Sequence, residues 1–359
     1  LFSAYVDINK MLSNLPYFKL DTESKNKPIS YEISFFLNGK RHRYGIEIDS
    51  KGIYSEWLYF VPKRQEACYF ERKRNEIVRT GTYFEDRKAL DYIKPDAIRP
   101  FLFTLAQDSI KEFVWAKEII NYLKFYIRPS NLPEMFFKSM IEEEILKNSG
   151  KGILTKEEVL SFLKDADICI TDISVLKKKT DEDDLFSQFV EFMQQKGASI
   201  KSNELETYMH HSKYDEQYNI VDEEKFPLDA ESRGTAKLYA LIYPIFFVLK
   251  VGGFLLIDEI ESSLHPLLCE RIIRLFNNSK TNPHNAQLIF TTHNTLLMNP
   301  KLLRRDQIYF IEKNKYGVSN MYSLYDIDLD IRSNFNYLNN YLAGRFGAIP
   351  YLGDFNISI

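Results

Sequence analysis

Apolar and polar residues follow three different periods along the chain. Between about Ser30 and Thr80 apolar residues alternate with polar ones, as in "YEISFFLNGKRHRYGIEID", and Asn38-Gly39 separates two such runs. This alternation predicts antiparallel strands, and Asn-Gly is the pair that a type I′ hairpin turn prefers. We therefore expect an antiparallel meander in this part of the chain.

A helical period replaces the alternation from about Phe84 to Tyr218. Apolar residues lie three and four positions apart in "DAIRPFLFTLAQDSIKEFVWAKEIINYLKFY" and in "DEDDLFSQFVEFMQQKG". "TKEEVLSFLKDA" begins with Thr155 and Glu158 at the spacing of a capping box. "LFSAYVDINKMLSNL" at the start of the chain has the same period, and "KKKTDEDD" predicts a solvated linker. This middle part is expected to be helical.

From about Asn219 short apolar strands alternate with helices. The pattern predicts a helix over 235–250, a strand over 253–257, a helix over 266–278 and a strand in "AQLIFTTHN". Two further strands are expected in "QIYFIEK" and "SNMYSLYD". Such alternation predicts an α/β domain with a largely parallel sheet, whose ligand site lies beyond the carboxyl ends of the strands.

An acid pair stands at one of these strand ends. "FLLIDE" is an apolar strand followed directly by Asp258 and Glu259. One acid that holds hydrated magnesium and a second that orients or deprotonates water would make a nucleotide-hydrolysis pair. The alternative is that both carboxylates only cap the following helix.

A histidine stands at the end of the next apolar strand. His293 lies in "IFTTHN", and parallel neighbouring strands would place it beside the acid pair. A lone histidine after a strand is usually structural. Beside two carboxylates it becomes a candidate sensor of a γ-phosphate.

A third candidate segment precedes the long apolar helix. In "DAESRGTAKLYALIYPIFFVL", Ser232, Gly234 and Thr235 stand at the helix start. Free backbone N–H groups and the positive end of the helix dipole suit phosphate binding there. An ordinary N-cap is the alternative.

Composition narrows the class of protein. The chain has 359 residues, 45% of them hydrophobic, and a formal net charge of -3, so no global charge draws it to nucleic acid or to anionic lipid. Three widely spaced cysteines predict neither a disulfide framework nor a zinc site, and indicate a cytoplasmic protein. The apolar stretch before "FLLIDE" is broken by Pro244, Lys250 and a Gly pair, so we expect a buried helix and strand and no membrane span.

Together these segments resemble the ATP-binding-cassette ATPases, in their soluble branch related to the SMC, RecF and OLD proteins. "FLLIDE" resembles the Walker B strand, "SSLHP" the D-loop, "TTHN" the switch histidine and "ESRGT" a shortened signature motif. "SEWLYF" and "YLAGRFGAIP" look like the bacterial RloA-type AAA ATPases found with anti-phage defence and abortive-infection systems.

The resemblance implies a fold and a division into domains. The expected fold is α/β, an ABC-ATPase-like P-loop fold with an antiparallel β subdomain and a helical insertion. Residues 1–83 would form the first part of the ATPase lobe, 84–218 the helical insertion, and 219–359 the second part of the lobe.

The resemblance also implies site residues and ligands, with ATP and Mg2+ as the expected cofactors. Asp258 would hold magnesium through water, Glu259 would be the general base and His293 would contact the γ-phosphate. Other expected contacts to the nucleotide or the subunit interface are Ser232, Gly234, Thr235, Ser262, Ser263 and His265. The signature residues would reach ATP on a partner chain, so hydrolysis would need a homo-oligomer with composite sites.

The chain has no Walker A loop of the form G-x-x-x-x-G-K-[ST]. "NSGKGI" contains Gly-Lys but lacks the leading Gly at the right spacing and the following Ser or Thr. Either the ATPase is degenerate, or the loop lies just upstream of Leu1. The intact acid pair favours the second alternative.

Three classes of function follow from this resemblance. The leading one is an ATPase that controls an effector nuclease of TOPRIM or HNH type, or another toxin. A second is an OLD-like nuclease, for which "DIDLD" offers alternating acids. A third is a DNA-repair-type ATPase related to SMC and RecF, whose DNA contacts would come from "KRHR" and "ERKRNEIVR".

Overall fold

The structure is a computed structural model that describes residues 15–85, 87–129, 134–147, 152–177, 205–328 and 336–350. The chain divides into two compact units, Leu1–Phe125 and Tyr126–Ile359, and each is described by itself. The predicted N-terminal helix and the helix in "DEDDLFSQFVEFMQQKG" lie outside the described residues, as do most of "KKKTDEDD" and of "NSGKGI". The predicted domain boundaries at residues 83 and 218 stay predictions.

The first unit contains the expected antiparallel meander. Its strands pair in the order β1-β2-β3-β4-β5. They are β1 (Ile29–Leu37), β2 (Lys40–Asp49), β3 (Gly52–Phe60), β4 (Ala67–Lys73) and β5 (Glu76–Thr80). Asn38 and Gly39 connect β1 to β2 with φ angles of 51° and 70°. Positive φ at both positions is the requirement of a type I′ turn, so the predicted hairpin is confirmed.

Two helices follow where the period suggested one continuous helical run. They are α1 (Phe101–Gln107) and α2 (Val114–Tyr126). Asp108 separates them, because its carboxylate accepts hydrogen bonds from the backbone N–H groups of Ile110 and Lys111 at 3.0 and 2.7 Å. Such an Asx turn competes with helical hydrogen bonding. The apolar period alone did not reveal this interruption.

A fully buried ion pair connects the meander to α1. Arg72 Nε on β4 lies 2.9 Å from Glu56 Oε2 on β3, close enough to pair but not aligned as a hydrogen bond. Glu56 also accepts hydrogen bonds from the Tyr44 hydroxyl and from the backbone N–H groups of Phe101 and Leu102. The carboxylate therefore caps the first turn of α1, where the helix dipole favours negative charge.

Several basic residues proposed for DNA contact pair with carboxylates. Arg43 of "KRHR" binds Glu66 at 2.7 Å and Glu32 at 2.8 Å. In "ERKRNEIVR", Arg72 is buried against Glu56, and the remaining pairs are Arg74 with Asp49 and Arg79 with Glu71. These contacts favour a solvated hairpin face, and DNA binding stays a prediction.

The second unit is built on a parallel three-stranded sheet in the order β11-β10-β6. The strands are β6 (Ile127–Pro129), β10 (Phe254–Ile257) and β11 (Gln287–Phe290). Around it lie α3 (Glu134–Lys147), α4 (Lys156–Asp165), α5 (Arg233–Val251) and α6 (Pro266–Asn277). The predicted capping box of Thr155 and Glu158 at the start of α4 is confirmed. Alternating strands and helices were expected here, so the predicted α/β class is confirmed.

The described residues of the second unit also form two antiparallel sheets. One has the order β7-β8-β9, with β7 (Asp172–Lys177), β8 (Leu205–Tyr214) and β9 (Ile220–Pro227). The other is the pair β12 (Tyr309–Lys313) and β13 (Ser319–Ser323), followed by α7 (Tyr337–Leu342). Strands β6, β7 and β8 lie in the stretch that we expected to be helical, so that expectation holds only in part. The short period-two runs of β7 and β8 were missed between long helical patterns.

Helix α5 is the centre of the second unit's apolar core. Most of its residues from Leu238 to Leu249 are buried, and they pack with residues of α3, α4, α6 and β10. Among the described residues it is the one helix long and apolar enough to cross a membrane. However, 67% of its apolar stretch is buried inside the protein. The helix is therefore explained as a core helix, as expected from the sequence.

A buried carboxyl lies where α3, β8 and α5 meet. Glu142 is 3% exposed and accepts a hydrogen bond from the Thr207 hydroxyl at 2.8 Å, and Thr207 Oγ1 lies 3.3 Å from the Tyr239 hydroxyl. Burial raises the pKa of Glu142 to about 7, although the hydrogen bond from Thr207 opposes this effect. The folded protein therefore favours the protonated acid at this position.

We expect Arg72→Met to destabilise the protein by about 3 to 5 kcal/mol, because it leaves Glu56 buried without a counter-charge. The double variant Glu56→Gln/Arg72→Met should lose less, since no ion remains buried. Arg79→Ala, which removes an exposed pair, is the control and should cost less than about 1 kcal/mol. Urea unfolding measures all three, and a double variant less stable than Arg72→Met would contradict this account.

Glu142 should make stability depend on pH. Its folded pKa of about 7 lies above the ordinary value of 4.5, so the folded state holds a proton that the unfolded chain releases between these pH values. The contribution of Glu142 to stability should therefore fall as pH rises from 4.5 to 7 and stay low above it. In wild type this loss of unfolding free energy should be on the order of 3 kcal/mol between pH 4.5 and pH 8, and Glu142→Gln should remove it.

Urea unfolding of wild type and Glu142→Gln at both pH values measures the effect. Glu157→Gln, at an exposed position of α4, is the control and should keep the wild-type pH dependence. The same pH dependence in wild type and Glu142→Gln would show that this carboxyl ionises normally in the folded protein.

Candidate functional site

The acid pair lies directly after β10, which ends at Ile257. Asp258 and Glu259 are both exposed. Glu259 has a φ of 47°, in the left-handed region that non-glycine residues rarely adopt. The chain therefore turns sharply at this residue, which allows both carboxylates to lie at the strand end instead of on opposite faces of a strand.

A second loop follows the neighbouring strand β11, which ends at Phe290. The parallel register places Ile257 opposite Phe290, so that the acid pair and Thr291 follow at the same edge of the sheet. The backbone continues this pairing: the Thr291 N–H donates to the Ile257 carbonyl at 3.0 Å, and the Ile260 N–H donates to the Thr291 carbonyl at 3.1 Å. The two loops are thus fixed side by side.

The Thr291 side chain connects both acids. Its hydroxyl donates to Asp258 Oδ1, and its oxygen accepts the backbone N–H of Glu259 at 2.8 Å. On the other side of the acid pair, Lys237 Nζ of α5 donates to the Glu259 carbonyl at 3.2 Å. Thr291 therefore orients both acids, and the backbone of Glu259 is held from two neighbouring elements.

A third carboxylate, Glu261, holds the histidine loop. It accepts hydrogen bonds of 2.6 Å from both the Thr292 hydroxyl and the backbone N–H of His293. Partial burial acts to raise the pKa of Glu261, but these two hydrogen bonds and the nearby His293 outweigh it and keep the pKa below its ordinary value. Glu261 is therefore held as the anion and orients the backbone that carries His293.

His293 lies beside the acid pair, as the sequence predicted. Its Nε2 is 3.8 Å from Glu259 Oε1, and the two side chains are 87% and 56% exposed. Both groups face solvent, so a ligand can reach them. Asp258, Glu259 and His293 thus lie together at the carboxyl ends of β10 and β11.

The residues at the start of α5 form the second part of the site. Ser232 is the N-cap: its Oγ accepts the Thr235 N–H at 3.1 Å and lies 2.9 Å from Thr235 Oγ1. A Cβ at Gly234 would lie 2.7 Å from the carbonyl oxygen of Ser263, so only glycine permits this approach. Thr235 is buried, whereas Ser232 is exposed.

The segment after the acid pair contains the remaining predicted residues. Ser262 and Ser263 are exposed, and Ser263 has a φ of 61°. The Ser262 N–H donates to the Glu259 carbonyl at 2.9 Å. His265 is the N-cap of α6, where its Nδ1 accepts the Leu267 N–H at 3.3 Å. All nine predicted site residues therefore belong to two loops and one helix start that contact one another.

A cavity of about 430 Å³ lies next to the loop that follows β10, residues 258–265, which we call the acid loop. Its walls are mainly apolar side chains of α3, α5, β10 and β11, and Lys237, Asp258 and Thr291 stand at its polar side. Apolar walls lower the local dielectric constant, which strengthens electrostatic interactions of the charged groups at the edge.

The donor set fits a hydrated divalent cation. Within the described parts of the chain, no three His, Cys, Asp or Glu side chains gather as a metal cage. Magnesium usually keeps several waters and takes one or two carboxylates together with substrate phosphates. Asp258 could hold such an ion through water, and its role as the magnesium residue stays a prediction.

Four residues of the site were not predicted: Lys237, Glu261, Thr291 and Thr292. Thr291 and Thr292 directly precede His293, and Glu261 follows the acid pair by two positions, so their proximity in sequence was the available signal. Their roles depend on which carboxylates, backbone N–H groups and carbonyls of the neighbouring loops they contact, and a sequence pattern does not contain that information.

A family profile described as "AAA domain, putative AbiEii toxin, Type IV TA system" matches residues 3–299, which is most of the chain. The chain belongs to this AAA family. The match supports an ATPase-type domain. Proteins of this class generally bind ATP with magnesium, which agrees with the donor set. The RloA-like branch stays a prediction.

A comparison with solved structures finds a chain described as "Crystal structure of the SmcHead bound to the C-winged helix domain of ScpA". The identity is 12%, the match covers 83% of this chain and 74% of that chain, and the TM-score is 0.36. No curated protein matches the sequence of this AAA domain.

We expect Thr291→Val to lower kcat for ATP hydrolysis about 10- to 100-fold, because it removes the hydrogen bonds that orient Asp258 and Glu259. Thr291→Ser keeps the hydroxyl and should remain within a few-fold of wild type. A steady-state phosphate-release assay measures both, with thermal unfolding as the check on folding. A folded Thr291→Val variant that hydrolyses ATP at the wild-type rate would contradict this role.

Proposed function

We propose that this AAA protein hydrolyses ATP at composite sites formed between two copies of the chain. The observation that carries the proposal is the gathering of Asp258, Glu259 and His293 at adjacent strand ends, with 3.8 Å between Glu259 Oε1 and His293 Nε2. Two exposed acids and an imidazole in this arrangement suit attack of water on a γ-phosphate.

Each side chain then has one task. Asp258 would hold magnesium through water, and Thr291 keeps its carboxylate oriented. When bound, magnesium neutralises the charge that develops on the phosphates. Glu259 accepts a proton from the attacking water. His293 donates a hydrogen bond to the γ-phosphate, and Glu261 fixes the backbone at that residue.

The trans arrangement is supported by exposure and contact. Ser232, Ser262, Ser263 and His265 are all exposed. Gly234 and the Ser263 carbonyl approach so closely that the helix start and the loop after the acid pair form one continuous surface. We propose that Ser232 and Gly234 meet the γ-phosphate of ATP held by the partner copy, with Ser262 to His265 along the interface.

We also propose a biological role for this ATPase activity. The family description names a toxin and a toxin–antitoxin system. We therefore propose that nucleotide-driven assembly controls a partner effector, a nuclease of TOPRIM or HNH type or another toxin, in bacterial anti-phage defence. The protein would act in the cytoplasm as a homo-oligomer.

Subunit mixing tests the composite site. Ser232→Ala and Glu259→Gln should each lack ATP hydrolysis as single preparations. A mixed dimer contains one site with wild-type Glu259 from one chain and wild-type Ser232 from the other. ATPase activity should therefore return on mixing and reach a maximum near equal amounts of the two variants.

If Ser232 acted on nucleotide bound to its own chain, each chain of the mixed dimer would carry one defect. No activity would then appear at any mixing ratio, and the trans assignment would be overturned. Mixing Glu259→Gln with Asp258→Ala is the matched control, since both lesions lie in the same half-site and should not complement.

A further inference from the structure

Two consecutive histidines of β8 each bind a glutamate. His210 Nδ1 lies 2.8 Å from Glu223 Oε2 on β9, and His211 Nε2 lies 2.8 Å from Glu231 Oε1. Neighbouring residues of a strand point to opposite faces, so the two pairs connect β8 to different parts of the protein. Of these two pairs, the one between His211 and Glu231 lies next to the candidate site.

Glu231 occupies the position directly before Ser232. Its side chain is 13% exposed and that of His211 is 25% exposed, so the pair is largely shielded from water. The His211 ring also packs edge to face on Phe226, with 5.4 Å between ring centroids. The imidazole is thus held in place on β8, and its hydrogen bond fixes the chain at the entrance to α5.

The first turn of α5 contacts the acid loop on its other side. The Gly234 Cα lies close to the Ser263 carbonyl, and Lys237 donates to the Glu259 carbonyl. A shift of Glu231 would therefore move Ser232 relative to the acid loop. The His211–Glu231 pair holds the residue directly before this helix start from the β8 side.

We propose that His211 is a positioning residue for ATP hydrolysis: through Glu231 it holds Ser232 and Gly234 where they meet nucleotide on the partner copy. This inference rests on the proposed function, because it assigns His211 to the half-site that acts in trans. His211 itself touches neither nucleotide nor the acid pair.

A purely structural role makes a different prediction. A single hydrogen-bonded pair of this kind contributes little net stability, because folding exchanges hydrogen bonds to water for the one between the two side chains. If the pair served stability alone, its loss would affect both half-sites of a dimer through unfolding. A positioning role instead affects only the half-site that contains Ser232.

Subunit mixing separates these possibilities. His211→Ala should lower kcat about 10- to 100-fold, as expected for a misplaced group, with KM for ATP changed less than three-fold. Mixed with Glu259→Gln, it should regain activity in the same way as Ser232→Ala. Mixed with Ser232→Ala, it should regain none, because both lesions lie in the same half-site.

Two further variants serve as controls. His211→Gln keeps a donor near the position of Nε2 and should retain at least a third of the wild-type rate. His210→Ala removes the equally short neighbouring pair with Glu223 and should change kcat less than three-fold. Circular dichroism verifies folding, and Glu231→Gln replaces His211→Ala in the mixing assay if the alanine variant does not fold.

Each outcome has one meaning. Recovery with Glu259→Gln and none with Ser232→Ala supports the inference. A wild-type rate for folded His211→Ala, or failure to complement Glu259→Gln while Ser232→Ala succeeds, overturns it and leaves the proposed function intact. If Ser232→Ala itself fails to complement Glu259→Gln, the proposed trans site fails and this inference fails with it.

Discussion

The parallel register between β10 and β11 is the constraint on which the candidate site depends. Ile257 opposite Phe290 brings the loop that begins at Asp258 beside the loop that begins at Thr291. A shift by one residue would exchange the faces of the strand and move Thr291 away from both acids. The hydrogen bonds of Thr291 to the acid pair, and of Glu261 to the backbone of His293, exist only in this register.

The start of α5 is joined to this frame by close packing and by the hydrogen bond from Lys237 to the Glu259 carbonyl. Gly234 lies against the Ser263 carbonyl, where a Cβ would be 2.7 Å from the oxygen, and Ser263 itself has a positive φ. Glu259 in the same loop also has a left-handed conformation. Each of these two residues costs roughly 1 to 2 kcal/mol. Strain of this kind persists where surrounding contacts determine the conformation, and it is often found at functional sites.

Local patterns predicted the parts of the fold that depend on local physics. Asn38-Gly39 gave the hairpin, Thr155 and Glu158 gave the start of α4, and apolar runs gave α5, β10 and β11 within a few residues. The apolar period did not reveal the Asx turn at Asp108 or strands β7 and β8, because these depend on side-chain hydrogen bonds and on pairing with distant strands. The same holds in the site: the residue types of Asp258, Glu259 and His293 were informative, whereas Glu261, Thr291 and His211 are defined by contacts between loops.

The central claim is that Asp258 belongs to a nucleotide site that uses magnesium. The most direct measurement is the titration of a fluorescent ATP analogue with and without Mg2+, in wild type and in Asp258→Asn. Mg2+ should strengthen nucleotide binding to wild type and have little effect on the variant, while binding without metal stays similar in both. Equal strengthening by Mg2+ in the two proteins, or no nucleotide binding by wild type, would contradict it.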